Sequence, residues 1–210
     1  MSQTIVQSQF DTPVQQRESA TLGMWVFLAT EVMFFGGLFL CYTYVRWSEP
    51  AVVEKASTHL ELILGSINTA VLLTSSFIMA AGVLFAEEGR SRLSAMMLGI
   101  AAFCGVLFLA IKGTEYAHVI GDGLFPGSNY RSPDGLPISS QLFFWLYFVM
   151  TGLHALHVLI GVVFLSIVAV LLLRSRPAST NLVRNAGLYW HFVDMVWVFL
   201  FPLLYLAGHW

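Results

Sequence analysis

Apolar positions fall into five long runs separated by short polar stretches. They run from about Leu22 to Val45, Leu62 to Ala86, Leu93 to Ile111, Gln141 to Leu173 and Gly187 to Ala207. Each approaches or exceeds the roughly 20 residues that carry a helix across a bilayer. The expected fold is therefore all-α, a polytopic membrane bundle of five transmembrane helices in one domain, 21–210. The fourth run lies in an uncharged stretch from Gly135 to Leu173 and is long enough to require tilt or protrusion. Lys112 is expected to close the third helix. The links differ in character: Arg46 to Glu61 is polar and contains Pro50, Glu87 to Arg92 is a tight turn, Lys112 to Ser140 is rich in Gly and Pro, and Arg174 to Ala186 is basic. Residues 1–20 read as a polar tail. They lack the basic region and apolar core of a cleaved signal peptide.

Composition agrees with this pattern. The chain of 210 residues is 57% hydrophobic and 10% charged, against roughly 25% charged in soluble domains. A net charge of -2 gives no reason to expect nucleic acid. Cys41 and Cys104 lie in apolar runs and read as small buried side chains; no Cys-x-x-Cys-His is present for covalent haem. With five spans, Arg17, Arg90, Arg92, Arg174, Arg176 and Arg184 share one side, and Arg46, Lys55, Lys112 and Arg131 the other. Six against four places the N-terminus in the cytoplasm and the C-terminus in the periplasm.

Against this background the ionisable residues inside the runs stand out, because a charge at the centre of a membrane helix costs at least ~2.5 kcal/mol on insertion scales. Glu31 lies about 14 Å into the first helix at 1.5 Å per residue. His154 and His157, three apart on one face of the fourth helix, reach the same cytoplasmic half from the opposite side. His191 and Asp194 lie within about 12 Å of the start of the fifth. Glu31, His154, His157, His191 and Asp194 can therefore share one buried layer. Three chemistries are open to such a layer: a hydrogen-bonded structural network, axial haem ligation by a pair such as His157 and His191, and a proton relay. The pair Glu115 and His118 has the Glu-x-x-His spacing of carboxylate-bridged metal sites. It follows Lys112 on the periplasmic side, and no second copy accompanies it. A transporter is a further reading of a lone membrane carboxylate, but the repeat symmetry and broken helices of that class are missing.

Small residues recur at Gly36, Gly37, Gly65, Ser66, Gly99, Gly105, Gly152 and Gly161, where close helix approach is expected. Aromatic residues are dense, and Phe34, Phe35, Trp190 and Trp197 are candidates for lipid or subunit contact.

Five segments together resemble subunit III of haem-copper terminal oxidases, most closely the cytochrome c oxidase branch. They are GMWVFLATEVMFFGGLF around Glu31, LGSINTAVLLTSS around Asn68 and Thr69, GTEYAHVI with GDGLFPGS around Glu115 and Tyr116, FVMTGLHALHVLIG around His154 and His157, and GLYWHFVDMVWVFLF from Trp190 to Asp194. They occur in the family's order and span nearly all of 21–210. The resemblance implies an accessory subunit that carries no haem, copper or other cofactor of its own and is not catalytic alone. It implies packing beside subunit I, with subunit II in the same complex and haem and copper in those partners. It also implies bound phospholipid, support of proton uptake, and electrons from cytochrome c or quinol. Many members have two further helices before the glutamate-bearing one; here a polar tail stands in their place. Five-helix relatives also occur in quinol oxidases and nitric oxide reductases. Glu31, where some of those relatives carry aspartate, favours the cytochrome c oxidase branch. The reading from another class is a bundle enzyme with its own haem or metal.

Overall fold

The computed structural model describes residues 12–127, 130–131, 137–174 and 180–208. Most of the expected polar tail, Arg176 and much of the Gly/Pro-rich link lie outside the described residues. Among the described residues six helices follow one another: α1 (Pro13–Ser48), α2 (Pro50–Ser57), α3 (Leu62–Glu87), α4 (Ser91–Gly121), α5 (Ser140–Leu173) and α6 (Thr180–Tyr205). The five long ones are apolar and long enough to span a membrane.

The helix ends differ from the sequence reading where local chemistry overrides hydropathy. α1 begins at Pro13 because Thr12 caps it, its hydroxyl accepting from the Gln15 N–H at 3.1 Å, and Pro13 occupies the first turn. Residues 13–20 are thus helix, not tail. Pro50 likewise starts the short α2 within the expected link, burying Val53 and Ala56. α4 runs past Lys112 to Gly121, because Lys112 is buried beside a partner and has no need to reach water. α3 and α4 end alike. Gly89 (φ 75°) and Gly123 (φ 76°) take the left-handed conformation. The next N–H in each returns to the last turn, Arg90 to Phe85 at 2.8 Å and Leu124 to Val119 at 3.1 Å.

α3, α4, α5 and α6 close a four-membered ring in which each packs on the next and α6 returns to α3. α1 leans on α5 and α6 from outside, and α2 fits between α1 and α5. The stripe that holds α1 is narrow. Leu28, Phe35 and Tyr42 are buried at seven-residue spacing, while Met33, Phe34, Leu40 and Tyr44 are exposed. Tyr42 fastens its far end by donating a hydrogen bond to the carbonyl of Leu203, one of the last carbonyls of α6, which no helical N–H would otherwise reach.

Between membrane helices, close packing replaces the hydrophobic effect as the force of association. Here the large partners come from α6. Trp190 is fully buried against Gly105 of α4 and Gly161 of α5. A Cβ at Gly105 or at Gly161 would lie 2.7 Å from the Trp190 ring. Gly65 of α3 receives Phe201 and Tyr205 at 3.0 Å in the same way. Gly36, Gly37 and Gly99 meet nothing within 4 Å, so they are not sites of close approach within this chain. Gly152 meets only the Tyr116 hydroxyl, at 3.6 Å.

Gly105→Ala and Gly161→Ala should each destabilise the protein by about 1–3 kcal/mol through overpacking. Gly99→Ala should be neutral or stabilising by up to ~1 kcal/mol from helix propensity. Thermal unfolding of the three variants in one detergent checks the contrast.

Candidate functional site: buried polar groups of the bundle

The five groups expected in one layer occupy separate settings. Glu31 on α1 meets His157 on α5, with Oε2 and Nε2 3.2 Å apart and both side chains mostly buried. The approach is that of an ion pair rather than an aligned hydrogen bond. The other ring nitrogen of His157, Nδ1, lies 2.7 Å from the Leu153 carbonyl. A carbonyl only accepts, so Nδ1 carries a hydrogen. Nε2 is the nitrogen left to face the carboxyl, and this contact gives the carboxyl of α1 a polar partner inside the chain.

His191 Nδ1 and the Ser76 hydroxyl of α3 share a hydrogen bond of 2.7 Å; Asp194, one turn along α6, is buried with neither carboxyl oxygen hydrogen-bonded among the described residues. His154 does not join His157. It points into the ring of helices and is fully buried, stacked on Trp197 (centroids 5.2 Å) with the Phe108 ring edge-on at 5.5 Å. Residues three apart on a helix differ by about 60° in direction, enough here to send one histidine to the core and the other to α1. The expected layer is thus two pairings, an enclosed histidine and a buried aspartate.

The aromatic candidates also divide. Phe34 is exposed, whereas Phe35, Trp190 and Trp197 are buried within the chain. Phe35 packs on His157 and Phe192. Trp190 donates its indole N–H to Ser75 and Trp197 to Thr69, each at 3.0 Å. The two tryptophans of α6 thus read two hydroxyls of α3, as buried indoles require a partner.

A further cluster escaped the sequence reading, which placed Lys112 and Glu115 at the periplasmic surface. Both are fully buried, 3.0 Å apart on successive turns of α4. Tyr147 of α5 and Tyr205 of α6 donate to the same carboxyl oxygen, Oε1, at 2.6 and 2.5 Å. Lys112 in turn donates to both tyrosine oxygens, with Tyr147 at 3.0 Å. Every donor is taken: three ammonium N–H groups meet three acceptors, and two phenol O–H groups meet the carboxylate. Four rings, those of Tyr116, Tyr147, Trp197 and Tyr205, stand 4.7–5.4 Å from the ammonium, within the range of cation–π attraction. The available signal was spacing: a Lys and a Glu three apart neutralise one another, so the helix need not stop. His118 turns the opposite way, meeting Glu61 at 2.8 Å on the surface. The Glu-x-x-His pair therefore does not converge. Among the described residues, no three His, Cys, Asp or Glu side chains are grouped to hold a metal ion.

These features define a class: a multi-pass helix bundle that pairs Lys112 with Glu115 and Glu31 with His157 inside the chain. The profile of the family described as "Cytochrome c oxidase subunit III" matches residues 2–209. The chain belongs to that family. It is 34% identical to cytochrome c oxidase subunit 3 of Thermostichus vulcanus, over 88% of this chain and 86% of the relative. A probable cytochrome c oxidase subunit 3 of Nocardia farcinica shows the same identity and coverage. A probable quinol oxidase subunit 3 of Staphylococcus aureus is 27% identical over 94% of each chain. The family consists of subunits of membrane-bound terminal oxidase complexes.

Removing one member of the buried pair leaves an uncompensated charge, so Lys112→Met should cost about 3–5 kcal/mol. Lys112→Met combined with Glu115→Leu should cost clearly less than the sum of the two single changes; reversible unfolding in mixed micelles measures both. A double-mutant cycle of Glu31→Ala and His157→Ala should return a coupling of about 0.6–1.7 kcal/mol, the range found for polar pairs between membrane helices.

Proposed function

We propose that this chain is an accessory, cofactor-free subunit of a proton-pumping cytochrome c oxidase in a bacterial plasma membrane. In this reading it packs beside subunit I, with subunit II in the same complex. Haem and copper reside in those partners, and electrons arrive from cytochrome c. The N-terminus is cytoplasmic and the C-terminus periplasmic. Glu31, His154, His157, His191 and Asp194 serve as buried polar groups that stabilise the subunit and support proton uptake by subunit I. Exposed aromatic residues such as Phe34 meet phospholipid or a neighbouring subunit.

The observation that carries this reading is α1. It holds a carboxyl–imidazole pair at membrane depth, yet its own chain fully covers only the stripe of Leu28, Phe35 and Tyr42 among its large apolar side chains and leaves Met33, Phe34, Leu40 and Tyr44 exposed. A helix so placed suits a boundary with lipid or a larger partner. Family membership supports the oxidase setting, and the higher identity to the relatives named for cytochrome c oxidase supports that electron donor. The quinol reading has its own support in the Staphylococcus relatives.

Affinity purification through a tag on this chain should recover a complex containing haem and copper that oxidises reduced cytochrome c. Preference for a quinol would select the second reading, and stoichiometric haem in the chain purified alone would overturn both. Glu31→Ala should leave assembly and the initial rate of oxygen reduction largely intact, measured with an oxygen electrode. Immediate loss of turnover in a fully assembled complex would contradict the accessory role.

A further inference from the structure

We infer that the core of the four-helix ring binds internal water at His154, in a hydrated layer that Asn68 and the second carboxyl oxygen of Glu115 also mark. The argument starts from the imidazole. Its neutral form has one donor and one acceptor nitrogen, and neither nitrogen of His154 has a hydrogen-bond partner among the described residues. The ring is fully buried between the carbon surfaces of Phe108 and Trp197. The contrast with His157 is informative, since that histidine satisfies Nδ1 on the carbonyl of Leu153, four residues back on the same helix. His154 makes no such bond.

Two other helices carry unpaired buried polar atoms. Both amide atoms of the fully buried Asn68 on α3 lack a protein partner. Asn68 precedes Thr69, which receives the indole N–H of Trp197, and Trp197 is the ring stacked on His154. Trp197 also lies 5.4 Å from the Lys112 ammonium. Beyond that ammonium is Glu115, whose Oε1 accepts three donors while Oε2 has none. α3, α4 and α5 therefore each carry an unpaired buried polar group, linked to one another through Trp197 and its neighbours.

The chemistry of these atoms selects the occupant. They include an imidazole donor, an imidazole acceptor, amide donors, an amide acceptor and a carboxylate acceptor. An anion would use only the donors and a cation only the acceptors, whereas water uses both and typically makes about three hydrogen bonds when buried. The complete enclosure of His154 and Asn68 within this chain keeps lipid and partner side chains out. The inference does not depend on the electron donor or on a role in proton uptake.

The test is a cryo-EM map of the native complex at a resolution that shows ordered water. A peak about 2.7–3.2 Å from a His154 nitrogen is expected, and it should disappear in a His154→Phe complex. His154→Gln, which restores a donor and an acceptor, should retain a peak in that layer and serves if the Phe variant does not assemble. Protein atoms alone around both His154 nitrogens, for example with the ring turned onto a backbone carbonyl, would overturn the inference. So would a peak that persists unchanged in the Phe variant.

Discussion

The ammonium of Lys112 meets three buried acceptors, contributed by Glu115, Tyr147 and Tyr205, and the ring of four helices closes around that arrangement. An apolar environment supplies no replacement hydrogen bonds, so a buried charge persists only where every donor is taken. Because the carboxylate comes from α4 and the two phenols from α5 and α6, satisfying the charge also sets how those three helices face one another. The aromatic rings around the ammonium add attraction of their own and exclude bulk water from the pair.

α6 is the element that connects the rest. Its tryptophans insert into notches and hydroxyls prepared by other helices: Trp190 between Gly105 and Gly161 with its N–H on Ser75, and Trp197 on His154 with its N–H on Thr69. In each case one face of the indole packs where a Cβ or an aromatic ring decides the fit, and the N–H is satisfied by α3. Packing and polar pairing thus act at the same residues, which gives the bundle one register rather than several of similar energy.

α1 follows a different rule. It is bound along a stripe one residue wide per two turns, by the contact of Glu31 with His157, and by Tyr42 at its end. The contact with His157 gives a titratable group at the edge of the bundle a polar partner inside the chain. The inner ring and the outer helix therefore separate two tasks, the first holding the fold and the second presenting a large apolar surface with a polar pair behind it.

The number of spanning helices, their apolar character and the family were legible in the sequence, because hydropathy over some 20 residues and an ordered set of motifs are local properties. Helix ends were less legible, although Thr12-Pro13-Val14-Gln15 and Gly89 carried readable signals. The depth of Glu31 against His157 was within reach of arithmetic along the helices. Which way His154 turns, the burial of Phe35, Trp190 and Trp197, and the recruitment of Tyr147 and Tyr205 to Lys112 and Glu115 were not. Those depend on the rotation of each helix about its axis. For helices apolar nearly all round, a one-dimensional pattern leaves that rotation open, and only contact between side chains distant in the chain decides it.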